Sequence, residues 1–132
     1  MSKSFSNDQI KAIIDTMVIV IDTREKVNSH ITDAFDKYGI NWERSKLESG
    51  DYSAYVPMNY ELGIDEMIDL TNELCIERKM SCDEVIQNLT KYKERFCNEF
   101  ERSNATIPIL IEDDFANAVK GNYRSQVHQR LF

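Results

Sequence analysis

The sequence predicts an α/β domain, a central sheet flanked by helices, and three observations carry that reading. Met17 to Ile21 is an uninterrupted apolar run rich in β-branched residues, which suits a strand covered on both faces. Ile107-Pro108-Ile109-Leu110-Ile111 is a second buried strand, its proline near the beginning where a missing donor is tolerated. Between the two, amphipathic helical spacings alternate with short strand-like segments, the pattern of a sheet layered with helices.

Taken in order, Ser6 or Asn7 caps a short helix with Ile10, Ile13 and Ile14 at helical spacing, ending near Thr16. After the first strand, Val27, Ile31, Ala34, Phe35 and Tyr38 lie on one face of a helix that Gly39 ends in a left-handed cap. Residues 40–47 alternate polar and apolar around Trp42, and Tyr52 to Val56 resumes as a strand. The two read as a hairpin turning at Gly50. Residues 60–72 are open between a short helix and a surface loop. Glu73 to Glu77 is the next strand, followed by Ser81-x-x-Glu84, a capping box that starts a helix with Val85, Ile86 and Leu89 inward. A further helix spans about Lys91 to Ser103, with Phe96 and Phe100 on its buried side and Arg95 and Arg102 bordering it. Glu112-Asp113-Asp114 closes the last strand as a solvated turn and helix N-terminus, and a short helix follows from Phe115 to Lys120.

A chain of 132 residues is one domain with room for a real core. Its 42% hydrophobic and 30% charged content is ordinary for a soluble protein, and no run spans a bilayer, so a cytoplasmic location is expected. Cys75, Cys82 and Cys97 have no metal-type spacing and read as reduced. Only four glycines are present and none forms a phosphate loop, which excludes the usual nucleotide-binding sites. The net charge of −7 argues against a general nucleic-acid coat, although carboxylates that hold metal count as negative here.

The stretch Glu77-Arg78-Lys79 stands out because burying the root of a charged run is costly unless the charges are used or paired. A solvated turn is the plain alternative. Asp22 and Glu25 end one apolar run and Gly50-Asp51 ends another, so acids gather at strand ends with a lysine beside them. Such groups are the materials of a divalent-metal phosphodiesterase site. Magnesium needs only two or three carboxylates plus water and substrate oxygens, and Asp51 and Glu77 can supply them. Lys79, two residues after Glu77, returns to the same face of a strand and is placed to act on a water or on developing charge.

Gly50-Asp51, a gap, then Glu77-Arg78-Lys79-x-x-x-Asp83 resembles the signature of the XPF-type structure-specific endonucleases. Val18 to Glu25 is similar to that family's first strand and its Asp-x-Arg-Glu, and Arg95-Phe96 and Ile109 to Glu112 are similar to its later helix and strand. The resemblance covers roughly Val18 to Arg124. It implies a restriction-endonuclease-like core with a central mixed sheet, residues 1–132 forming a single nuclease domain of the compact phage or bacterial mobile-element kind. It implies Mg2+- or Mn2+-dependent hydrolysis of DNA phosphodiesters at branched or flap structures, in a bacterial or phage-infected cell. Carried over, Asp22, Glu25, Asp51, Glu77, Arg78, Lys79 and Asp83 form the site, with Asp51, Glu77 and Asp22 as metal ligands. Asp83 alternatively belongs only to a first helical turn, and Arg78 alternatively makes an ion pair that supports the site. The long gap before Glu77 marks residues 60–72 as an insertion. Members of the family continue beyond the position of Tyr123, so a form lacking C-terminal elements after Phe132 is expected, and with it a homodimer covering the exposed apolar faces. The rival reading is a catalytically inactive nuclease-like module serving dimerisation or partner binding.

Overall fold

The computed structural model describes residues 4–120. Helix α1 (Asn7–Thr16) begins at Ser6, whose hydroxyl accepts from the Gln9 N–H at 3.2 Å, while the Gln9 side chain accepts from the Ser6 N–H at 2.7 Å. This reciprocal box satisfies two donors that a helix start leaves open. Strand β1 (Val18–Ile21) follows, with Val20 and Ile21 fully buried.

The first departure from expectation concerns the hairpin. Strand β2 (Asn41–Arg44) pairs parallel with β1, and β3 (Tyr52–Val56) pairs antiparallel with the other edge of β1. The two strands therefore flank β1 and do not touch as a ladder. An apolar β1 is best buried as a central strand with a neighbour on each edge, and a parallel neighbour requires a crossover. Helix α2 (Ser29–Lys37) is that crossover, and Gly39 ends it with φ +67°. Residues 45–49 then pass the end of β1, where the Ser45 N–H donates to the Ile21 carbonyl and Leu47 is buried. Gly50 and Asp51 arrive beside Asp22, whose N–H donates to the Asp51 carbonyl at 2.8 Å.

Beyond β3 the chain is neither a helix nor a plain loop. A 3-10 turn at Tyr60–Leu62 leads to buried Ile64 and to a two-residue strand β4 (Ile68–Asp69), antiparallel to the far half of β3. The stretch thus adds an edge to the sheet, in the order β2-β1-β3-β4. The expected strand at Glu73 to Glu77 begins later, as β5 (Glu77–Lys79), so the charged run itself is strand. Leu74 and Ile76 make only single bridges, to Thr106 and Tyr52 respectively, because the chain is changing partners there.

Helices α3 (Cys82–Leu89) and α4 (Lys93–Glu101) connect β5 to its parallel partner β6 (Ile109–Ile111). The box predicted at Ser81 is half formed. The Ser81 hydroxyl accepts from the Glu84 N–H, but the Glu84 carboxylate accepts from the Met80 N–H. Nor is β6 the buried strand that its apolar run predicts. Ile109 and Leu110 are exposed, because among the described residues β6 is the outer strand of its ladder. Phe96 is buried and meets Phe100 edge-on at 4.8 Å. Helix α5 (Phe115–Lys120) completes the described elements, and no helix among them is long and apolar enough to cross a membrane. The loop at residues 121–124 and the elements expected beyond Tyr123 lie outside the described residues.

Candidate active site

A cleft of about 890 Å³ opens where β1 ends, β3 begins and β5 starts, and Asp22, Asp51 and Glu77 contribute to its wall. Gly50 fits the chain into this junction. It has φ +72°, and a Cβ there would stand 2.8 Å from the Cβ of Cys75 and 3.1 Å from the Ile76 carbonyl oxygen. Any L-residue would meet both a strained backbone and a clash, which is the physical content of a Gly before the Asp.

Alternation along β5 sends its charges two ways. On the cleft side, the Lys79 ammonium lies 3.2 Å from Glu77 Oε1 and 3.9 Å from Glu84 Oε1, and 5.3 Å from the centre of the Phe96 ring. Lys79 is 7% exposed, so it lies beneath the wall. Asp51 Oδ2 accepts the Arg78 N–H at 2.8 Å. Burial pushes both the Asp51 and the Glu77 carboxyls up, against the Arg78 N–H on Asp51 and the Lys79 ammonium; the charges of Glu25 and Asp22 add to the rise at Asp51, and those of Asp51 and Glu99 to the rise at Glu77. Oxygen donors that are costly to ionise together suit a hard divalent cation. Among the described residues no group of three or more His, Cys, Asp or Glu side chains is arranged to hold a metal ion. Asp51 and Glu77 are the two carboxylates at the cleft whose ionisation burial makes costly.

On the other side, Arg78 is almost wholly paired. Its Nε and Nη2 donate to the two oxygens of Glu25 at 2.8 and 3.0 Å, its Nη1 donates to Glu112 at 3.2 Å, and Nη2 also reaches the Lys26 carbonyl at 2.9 Å. Two-point pairing with a carboxylate is the geometry a guanidinium is built for. Glu112 in turn meets His30 at 3.1 Å. Burial raises the Glu112 carboxyl, but the hydrogen bonds from His30 and Arg78 outweigh it and hold the group below its usual range. Burial, with a smaller push from Glu25, raises the Tyr52 hydroxyl to about 12, against a hydrogen bond donated by Asn28. Val27, with φ +52°, is a β-branched residue in a left-handed conformation, held in the turn that Arg78 clamps.

Asp22 is 1% exposed, and both its oxygens are already in use. Oδ1 accepts the Leu47 N–H at 2.8 Å, and Oδ2 accepts the Arg24 N–H and Nε at 3.0 and 2.7 Å. Burial raises this carboxyl, but those donors prevail and hold it low. Asp83 sits in the first turn of α3 and does not line the cleft. Of the predicted set, then, Asp22, Asp51 and Glu77 meet at the cleft wall with Lys79 beneath it against Glu77, Glu25 and Arg78 pair behind it, and Asp83 lies in the first turn of α3 outside the cleft. The structure adds Glu112, which closes the Arg78 pairing, and Glu99 of α4, which lines the cleft and whose charge bears on Glu77. The acid ending Ile109-Leu110-Ile111 was the signal for the former; for Glu99 the sequence holds none.

The model of the ERCC4 domain matches residues 21–131. The chain belongs to the ERCC4-domain family. Comparison with curated proteins and with solved structures gave no significant match. Family membership agrees with the mixed sheet and flanking helices, which make a restriction-endonuclease-like ERCC4 fold. An ERCC4 domain is a nuclease domain acting on DNA, of a family generally dependent on divalent metal, and the cleft described above is its candidate active site.

Proposed function

We propose that this ERCC4 domain is an endonuclease that hydrolyses DNA phosphodiesters at branched or flap structures with Mg2+ or Mn2+, working as a homodimer. The pairing of Asp51 and Glu77 at one cleft, with the Lys79 ammonium 3.2 Å from Glu77, carries the reading. Asp51 and Glu77 would hold the metal, since hard oxygen donors favour these ions over zinc. When bound, such an ion polarises a phosphate and acidifies a water. Lys79 lends positive charge where negative charge builds up on the phosphate. Asp22, with its oxygens committed to Arg24 and Leu47, serves as a neighbouring charge that makes Asp51 harder to ionise without a cation. Glu25 and Arg78 fix β5, and through the Arg78 N–H they fix Asp51. Asp83 is left to the favourable field of the α3 N-terminus.

The test is incubation of the protein with labelled flap, fork and linear duplex DNA, with and without Mn2+. Cutting of the branched substrates only with metal is expected. Binding without cutting under every metal condition would favour the inactive module. Light scattering over a dilution series addresses the dimer, for which the exposed Ile109 and Leu110 of β6 give a motive; a mass near 15.4 kDa throughout would remove it.

A further inference from the structure

A second depression, of about 600 Å³, lies along the α3–α4 turn and the outer face of α4. Lys91, Tyr92 and Arg95 line it, and Arg102 lines both this groove and the catalytic cleft. The two hollows therefore adjoin at one residue. Arg102 Nε donates weakly to the Asn98 carbonyl at 3.3 Å, which anchors the side chain to α4 at the junction. Tyr92 is 42% exposed, with the Lys91 ammonium 5.3 Å from its ring centre. None of these residues takes part in the site described above apart from Arg102.

The chemistry of the groove is mixed. Its three cations face two carboxylates, Glu94 and Glu101, and the Asn98 carboxamide, so its net charge is slight. A duplex presents phosphates outward and its bases stacked, and gains chiefly from an unbroken basic strip. Unpaired nucleotides present phosphates, flat faces and hydrogen-bonding edges at once. Guanidinium and ammonium groups answer the phosphates, an exposed aromatic ring answers the flat face, and carboxylate and carboxamide groups answer the edges.

We infer that this groove is a docking track for an unpaired DNA arm as it leaves the cleft past Arg102, with Tyr92 as its stacking platform. The inference rests on the nuclease reading of the cleft and supplies a reason for a branched substrate. A single strand can follow the groove, whereas a continuous duplex passing the cleft leaves it empty.

The experiment is fluorescence anisotropy of the full chain, without cleavage-supporting metal, on a hairpin with a single-stranded tail and on the same hairpin with a blunt end. Tyr92→Ala is expected to weaken binding to the tailed hairpin by roughly 5-fold or more, the scale of one lost base–aromatic stack. Tyr92→Phe should bind like the parent, and Lys91→Ala with Arg95→Ala should weaken tailed binding and flatten its salt dependence. Blunt-hairpin affinity should stay unchanged in all three. Equal weakening on both hairpins, or unchanged tailed binding in Tyr92→Ala, would overturn the track. Cleavage with Mn2+ is measured alongside: tail-selective binding by a parent that never cuts would overturn the nuclease reading and not the track. Cutting with no tail preference in binding would do the reverse, and loss of both would sink both.

Discussion

On one side of β5 the Arg78 guanidinium meets Glu25 and Glu112 with nearly every donor engaged; on the other, Glu77 and Asp51 share a cleft with a single ammonium, and both carboxyls are pushed up. The residues adjoin in sequence, yet the first side has settled its charges among protein groups and the second has not. A compensated cluster holds a backbone in place. An uncompensated one, facing a cavity, has an interaction left to make. On the reading proposed above, the difference sorts the charges of the motif into scaffold and working groups.

The largest expected effect separates the sides by activity. Asp51→Asn and Glu77→Gln should each lower the Mn2+-dependent cleavage rate by about 10²-fold or more, the usual scale for removing a group aimed at developing charge, while removing repulsion and leaving the melt at or above the parent's. Calorimetric titration should show weakened Mn2+ binding in both. Retained affinity in both variants would break the comparison at its cleft side.

Arg78→Met should act chiefly on stability. Breaking a buried ion pair by deleting one partner costs about 3–5 kcal/mol, since Glu25 is left charged and without its main donor. Glu112→Gln, at a partly exposed carboxylate, should cost only about 0.2–1 kcal/mol. Urea titrations read both, and an Arg78 variant as stable as the parent would show that the guanidinium is not scaffold.

The smallest effect is a pH dependence. Asp51 and Glu77 have folded-state affinities for protons raised above their ordinary values of 3.8 and 4.5. A raised group stabilises the fold below its unfolded pKa and loses that contribution as pH rises through its folded pKa. Asp22 and Glu112, held low, run the opposite way, so the net slope of the parent is mixed. The difference is the clean quantity. The Tm of the double variant Asp51→Asn, Glu77→Gln minus that of the metal-free parent should grow as pH rises above the ordinary carboxylate range. Saturating Mn2+ should close the gap by stabilising the parent. A pH-independent difference would mean that the pair ionises without cost.

Local features were legible where they rest on local physics. Ser6 and Ser81 cap helices because a hydroxyl reaches a donor three residues on, and Glu77 and Lys79 share a face because strands repeat every two residues. Pairing between strands was misread at β2 and β3. Nearness along the chain favours a hairpin, but β1 needed a neighbour on each edge, and that demand is set by burial elsewhere. Glu112 reads in sequence as part of a solvated turn because its partner Arg78 lies in another strand, and no spacing rule links them. Glu99 reaches Glu77 only through the packing of α4. The hydrogen bonds of Asp22 were equally out of reach, because the Leu47 and Arg24 donors it accepts come from a crossing and a turn that the sequence does not announce.

One bridge described in the fold has a mechanical side. Ile76 meets β3 through three backbone hydrogen bonds, to Asp51 at 2.8 Å and to Tyr52 at 3.1 and 2.7 Å, and around that single pair the β5–β6 ladder is jointed to the main sheet. Asp51 lies on one side of the joint and Glu77 on the other. The spacing of the two carboxylates is therefore set by the backbone bonds of one bridge, where two ladders meet end to side. The Arg78 N–H on Asp51 is a fourth tie across the same junction, so any change that loosens the bridge also unseats that carboxylate.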